Sequence, residues 1–363
     1  MKLDGKRRIP SGRIRRPLSK KILAELCQQL ADLMGSGLTI TESLDILSGE
    51  KETKRVRQLL EAVKIKLLRG MRFSEALSHQ DGNVPKLIVA MCQAGEKSGE
   101  LTEMLRHLGR YYRRQATFEG MLFKSALYPV FVLLVTLGVV LLLSIWILPV
   151  FAELYRSMAA ELPPLTRILL RFGSIYPLVL IGLGISAGIG TICFKVGMAN
   201  REFRRFWGHF TIRFPIFGIL KKNHSLACFF QALGLMMSGG VDLVTAMEVA
   251  MGVLKNDWLS EGLQKIRDKI RNGVPVSRAF GDSCLIGNRG IRLIMVGEAS
   301  GELDRMFLET GEVFRREGEK RASMLTTLLE PLTILIAGAV VFVVVLAVMT
   351  PVFGVYRHYA ELL

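Results

Sequence analysis

The sequence predicts an all-α, polytopic membrane protein with three transmembrane helices and two repeated cytoplasmic helical-bundle domains. Three observations predict it. Three long runs are almost free of charge, the rest of the chain spaces its apolar residues by three and four, and the turn GEKSGEL at residues 95–101 returns as GEASGEL at 297–303. A chain of 363 residues, 50% of them hydrophobic, has ample material for a core and needs neither disulfides nor a structural metal to fold.

The elements follow in chain order. Residues 1–21 form a tail with nine basic residues and one acid, broken by Pro and Gly, which reads as a solvated segment skimming the membrane in preference to a specific docking arm. Residues 22–126 form the first helical domain. Residues 127–151 carry no charge, and 25 helical residues reach about 37 Å against a hydrocarbon core of about 30 Å. Residues 152–174 form a short loop. The second span, 175–198, contains Lys195 close enough to its end to snorkel to the interface. Residues 199–326 form the second helical domain, 327–353 the third span, and 354–363 a short tail. No apolar run precedes residue 127, so the basic start is expected to stay on the mature chain.

Basic residues beside the spans set the orientation. Arg106, Arg110, Arg113, Arg114 and Lys124 precede the first span, and Arg201, Arg204, Arg205, Arg213, Lys221 and Lys222 follow the second. Arg315, Arg316, Lys320 and Arg321 precede the third, whereas the loop has only Arg156, Arg167 and Arg171. The positive-inside rule then places both helical domains in the cytoplasm and the loop and C-terminal tail in the periplasm. The net charge of +16 is accounted for by topology and by attraction to anionic membrane lipid, and no nucleic acid is expected as a partner. Cys27, Cys92, Cys193, Cys228 and Cys284 show no CxxC spacing and read as reduced, buried small hydrophobes.

The two helical domains are copies. At a spacing of 203 residues Gln28 matches Gln231, Leu30 matches Leu233, Gly37 matches Gly240, Gly70 matches Gly273 and Ser74 matches Ser277; one deletion then makes the spacing 202. Leu23, Leu26, Leu30, Leu33 and Met34 repeat at helical spacing, as do Leu226, Phe229, Phe230, Leu233 and Met237. Each run stops at glycine and restarts at an N-cap, Thr39 with Glu42 as a capping box and Asp242 in the second copy.

The repeated turn supplies the candidate site residues: Glu96, Ser98, Gly99 and Glu100, with Glu298, Ser300, Gly301 and Glu302. Ser98 and Ser300 stand where an N-cap belongs, and Glu100 and Glu302 fall in a first helical turn, where the dipole favours an acid. Glu96 and Glu298 lie instead at the C-terminal end of the preceding helix, where negative charge is unfavourable. The preferred reading gives each a local Arg or Lys, or solvent; the alternative is an interprotein or metal contact.

Chemistry-bearing motifs are missing. No GxxxxGK[ST] run and no GxSxG elbow occurs, and His79, His107, His209, His224 and His358 lack metal-ligand spacing, so no enzyme, cofactor or metal is expected. Glu330, at the edge of the third span, is the one acid within any span, which argues against a proton or solute path. Gly184 and Gly188 form a GxxxG pair in the second span and read as a packing face.

Two helical copies each carrying GExSGxL, split by a two-span hairpin and closed by a third span, resemble the family of type II secretion F proteins and type IV pilus inner-membrane platform proteins. Tyr128 and Pro129 entering the first span, Pro149 leaving it, Leu162, Pro163, Leu165 and Thr166 in the loop, and Pro331 before the last span carry the resemblance further. It implies a bacterial inner-membrane platform that binds a cytoplasmic hexameric assembly ATPase and other inner-membrane assembly proteins, and that passes motor movement to pilin or pseudopilin subunits. It also implies a homo-oligomer, a dimer or higher. The early start of the first repeat, without a longer leader, tilts the expectation toward a type IVb-like pilus. A small transporter or channel subunit, or a membrane-anchored regulator, stands as the alternative.

Overall fold

The computed structural model describes residues 18–49, 53–80, 82–147, 217–254, 256–283 and 285–361, together with residues 149, 150, 153, 186, 188 and 191. Residues 1–17 of the expected basic tail, the expected loop apart from residue 153, and nearly all of the expected second span lie outside the described residues. Gly184, Cys193 and Cys284 lie there too. Every regular element among the described residues is helical.

The first copy contains α1 (Lys20–Gly35), α2 (Ile40–Gly49), α3 (Lys54–Leu68), α4 (Phe73–Ser78), α5 (Lys86–Ser98) and the start of α6 (Leu101–Leu142). The second contains α7 (Phe217–Ser238), α8 (Leu243–Met251), α9 (Asp257–Arg271), α10 (Val276–Gly281), α11 (Asn288–Ser300) and the start of α12 (Leu303–Glu361). Helices α3 and α9 are both 15 residues long, α4 and α10 both 6, α5 and α11 both 13, so the sequence repeat is a repeat of elements.

Local chemistry sets the boundaries. Ser19 accepts from the Ile22 N–H at 3.4 Å and starts α1. The capping box of α2 is reciprocal: the Thr39 N–H donates to Glu42 at 2.8 Å and the Glu42 N–H to the Thr39 hydroxyl at 3.3 Å. Asp242 accepts from the Thr245 N–H at 3.0 Å at the head of α8, and Asn256 does the same for α9 from Leu259 at 3.2 Å.

The chain divides into two compact units, and α6 and α12 contribute residues to both. One unit comprises Met1–Glu119 and Ile212–Gly318, the other Gly120–Thr211 and Glu319–Leu363. In the first unit both copies share one continuous hydrophobic cluster, from Leu23 and Leu44 through Leu105 to Phe229 and Phe307. The copies fill it differently. Phe230 stacks against Phe307 and Phe314, with ring centroids 5.9 and 5.8 Å away, and meets Phe280 at a tilt with centroids 5.6 Å apart, whereas the matching positions of the first copy are Cys27, Leu77, Leu105 and Tyr112. There the smaller side chains leave an apolar cavity of about 40 Å³ lined by Leu26, Cys27, Leu44, Phe73, Leu77 and Leu105 among others.

In the second unit the helical stretches Leu101–Ile147 and Leu303–Thr350 supply segments long and apolar enough to cross a membrane. The first of them ends in a π-helical turn, Leu143–Ile147. Val344 and Ala347 are buried against Val140, Leu143 and Val348, and the Thr326 hydroxyl donates to the Ser125 hydroxyl oxygen at 2.9 Å. Phe123, Leu134, Trp146, Leu335 and Phe342 point outward. Such a surface is costly in water and at home in hydrocarbon.

Candidate functional site

The carboxylate of Glu96 reaches from the last turn of α5 to the N-terminus of α4. It accepts the Phe73 N–H at 2.6 Å, the Ser74 N–H at 3.3 Å and the Ser74 hydroxyl. Glu298 repeats this at α10, accepting the Val276 N–H at 2.5 Å, the Ser277 N–H at 3.0 Å and the Ser277 hydroxyl. A helix of six residues leaves most of its N–H groups without an internal partner, and neither Arg72 nor Pro275, the residues that precede α4 and α10, supplies a side-chain cap. The distant glutamate takes that role. Burial pulls the Glu298 carboxyl up, and the hydrogen bonds from Ser277 and Val276 outweigh it, leaving it below the ordinary carboxylate range.

The glutamates therefore have an internal partner that differs from a local Arg or Lys, from solvent and from another protein. An acid at the C-terminus of one helix is compensated by the N-terminal dipole of another, about 22 residues away in sequence. The signal was present in the paired Ser74 and Ser277 of the two copies, which offer the hydroxyl. Ser98 and Ser300 also differ from the expected N-caps: each is the last residue of its helix, and the following Gly99 and Gly301 take φ of 78° and 76°, closing the helix in the left-handed conformation. Glu100 and Glu302 stand immediately before α6 and α12, one position ahead of the expected first turn. Ser98, Gly99, Glu100, Ser300, Gly301 and Glu302 are all exposed.

The donor set around Glu96 and Glu298 does not fit a cation. Each carboxylate faces N–H and O–H donors, and among the described residues no three His, Cys, Asp or Glu side chains converge. Cys27 and Cys92 are buried free thiols, with burial pushing Cys27 up to about 12, and the buried Cys228 sulfur lies 3.7 Å from His224 Nε2. Among the described residues, no atom lies within 4 Å of where a Cβ on Gly188 would stand.

A second concave feature of the first unit is charged. Helices α6, α7 and α12 enclose a cleft of about 330 Å³ lined by His107, Arg110, Arg114, Glu309, Glu312 and Arg316 among others. Glu312 accepts from Arg315 at 2.8 Å and from Arg316 at 3.1 Å and pairs with Arg114 of the other copy at 3.6 Å. The Arg315 hydrogen bond, countered by burial and helped by Arg316 and Arg114, holds its carboxyl at about 2. Burial first, then the adjacent Arg110, lowers the His107 imidazole. One of its two acids, Glu312, is thus held among guanidinium groups contributed by both copies.

The chain matches the family model for the type II secretion system protein F twice, over residues 26–149 and 229–351, once for each copy. It is 29% identical over 354 residues to the type IV pilus assembly protein PilC of Thermus thermophilus, covering 97% of this chain and 86% of that protein. It is 27% identical over 338 residues to the type II secretion system protein F of Aeromonas hydrophila, covering 93% and 87%. It is 28% identical over 333 residues to the protein transport protein HofC homolog of Escherichia coli, covering 91% and 82%.

Proposed function

The chain belongs to the type II secretion system protein F family, and from that membership we propose that it is the inner-membrane platform of a type IV pilus or type II secretion machine. On this reading three spans hold it in the bacterial inner membrane with the N-terminus cytoplasmic and the C-terminus periplasmic. It binds a cytoplasmic hexameric assembly ATPase, associates with other inner-membrane assembly proteins and with lipid, works as a homo-oligomer, and passes motor movement to pilin or pseudopilin subunits. It performs no chemistry of its own.

The observation that carries the reading is the double family match, one for each copy, in a chain whose two copies share one core. A close-packed core transmits displacement instead of absorbing it, which suits a part that links a motor to its load. The exposed corners Ser98–Gly99–Glu100 and Ser300–Gly301–Glu302 are proposed as partner contacts, each held in place by the glutamate cap behind it. Cross-linking in intact membranes, purification of the tagged chain and mass spectrometry test the reading. An assembly ATPase and pilin-like subunits are the expected companions; recovery of the chain alone, under conditions that retain a known weak membrane complex, moves the assignment to a transporter or regulator. A reporter enzyme active only in the periplasm, fused after residue 353, tests the three-span topology and is expected to be active.

A further inference from the structure

We propose that the outer face of α11 is a docking surface for an acidic amphipathic helix of a partner protein. The two copies supply the argument, because α5 and α11 are the same helix used in two ways. On α5, Leu87 and Ala94 are buried and Ala90 is half-buried. This helix packs on α7 and α8 of the other copy, with the Ala94 Cβ 3.5 Å from where a Cβ on Gly239 would stand. The face is thus built to receive helices, and in the first copy the chain itself covers it.

At the matching positions α11 carries Arg289, Arg292 and Val296, with Met295 in the place of Gln93, and all four are exposed. Met295 is 54% and Val296 57% accessible, large apolar side chains where α5 has a polar and a small one. Arg289 and Arg292 make no ion pair among the described residues. The result is one stripe at helical spacing, with two uncompensated arginines toward its N-terminal end and Met295, Val296 and Ala299 beyond them. Methionine and arginine are the residue types enriched where proteins meet.

The chemistry of the stripe selects its occupant. A helix laid along α11 with apolar residues three and four apart would cover Met295 and Val296. Carboxylates at one end of that helix would pair with Arg289 and Arg292. An anionic membrane surface would also attract the arginines, but interfacial binding needs an apolar stripe running the length of a helix, and this one spans little more than a turn. The inference goes beyond the platform reading and does not depend on which machine the chain serves.

The test places photoreactive benzoyl-phenylalanine at position 295 of the full chain in its own membranes and identifies the cross-linked peptide. Expected is an adduct on one helical, net-acidic segment of a different protein. Its yield should fall roughly tenfold in the Arg289→Glu, Arg292→Glu double variant and return with lysine at both positions. If charge reversal lowers the melting temperature, raising salt from about 0.05 to about 0.5 M supplies the same comparison on the unsubstituted surface, since screening weakens an exposed charge pair. Adducts to lipid, to a second copy of this chain or to a segment without acids, no adduct, or a yield indifferent to both charge and salt would each overturn the proposal. Failure of the platform reading with a charge-dependent α11 adduct intact would leave it standing.

Discussion

A Cβ on Gly311 would stand 2.9 Å from the backbone nitrogen of Gln231, and one on Gly109 would stand 3.2 Å from that of Gln28. In each copy the long helix crosses the first helix at a glycine, with backbone against backbone. Gly311→Ala is expected to destabilise the chain by about 1–3 kcal/mol through overpacking, and Gly109→Ala by less. Among the described residues nothing lies within 4 Å of a Cβ on Gly120, so Gly120→Ala should be neutral or stabilise by up to about 1 kcal/mol. Thermal melting of the three variants decides; equal shifts would mean that the crossings yield.

The cavity in the first copy can be filled with the second copy's own solution. Leu105 lines it where the second copy has Phe307. At about 24 cal/mol per Å³, a cavity of about 40 Å³ corresponds to about 1 kcal/mol. Leu105→Phe is expected to raise stability by up to that amount, whereas Leu105→Ala should lower it by about 2–5 kcal/mol. A fall in melting temperature on Leu105→Phe would show that the site cannot take a ring.

Removing the distant cap should be felt as strongly as removing a local one. Glu298→Ala is expected to cost about 1–2 kcal/mol, comparable to Asp242→Ala at the head of α8. Because the Glu298 carboxyl lies below its ordinary value near 4.5, its contribution is fully present above that pH and is lost as pH falls through the lower folded value. Urea midpoints of wild type and Glu298→Gln should converge as the buffer is acidified.

Glu312 should set a deeper acid limit. Its contribution is present above about 4.5 and disappears as pH falls from there through about 2. The stability difference between wild type and Glu312→Gln is expected to be constant at neutral pH and to shrink across that window. A difference unaffected by acid would mean that packing, and not charge, accounts for the contribution of Glu312.

The buried thiols should be chemically silent. With Cys27 pushed up to about 12 and Cys92 raised by burial first and then by Cys27, neither supplies thiolate at neutral pH. Maleimide labelling of Cys27 and Cys92 in the folded chain at pH 7.5 is expected to be undetectable and to become complete in denaturant, read by peptide mass.

Much of this architecture could be read from residue spacing, because helix starts and stops are local events. Thr39 with Glu42 and Asp242 with Thr245 are three residues apart, and the side chains that cap those helices lie within one turn of the groups they satisfy. Ser98 misled for the same reason, since a serine before an acid imitates an N-cap until the left-handed Gly99 takes the corner. What spacing could not reveal was long-range. The partners of Glu96 and Glu298 lie more than twenty residues upstream, and the merging of two copies into one core depends on contacts such as Tyr111 with Cys228, 117 positions apart.

That merging governs the order in which the molecule can be made. The first unit is built from residues 1–119 and 212–318, so its core cannot close when the ribosome finishes the first copy. About two hundred further residues must follow, which takes roughly 10–40 s at about 5–20 residues per second. Through that interval Tyr111, Ala94 and the docking side of α5 wait uncovered while apolar segments of the second unit are already emerging. Slowing synthesis after residue 119 is expected to lengthen the time this half of the core stays open and to raise the fraction degraded before completion.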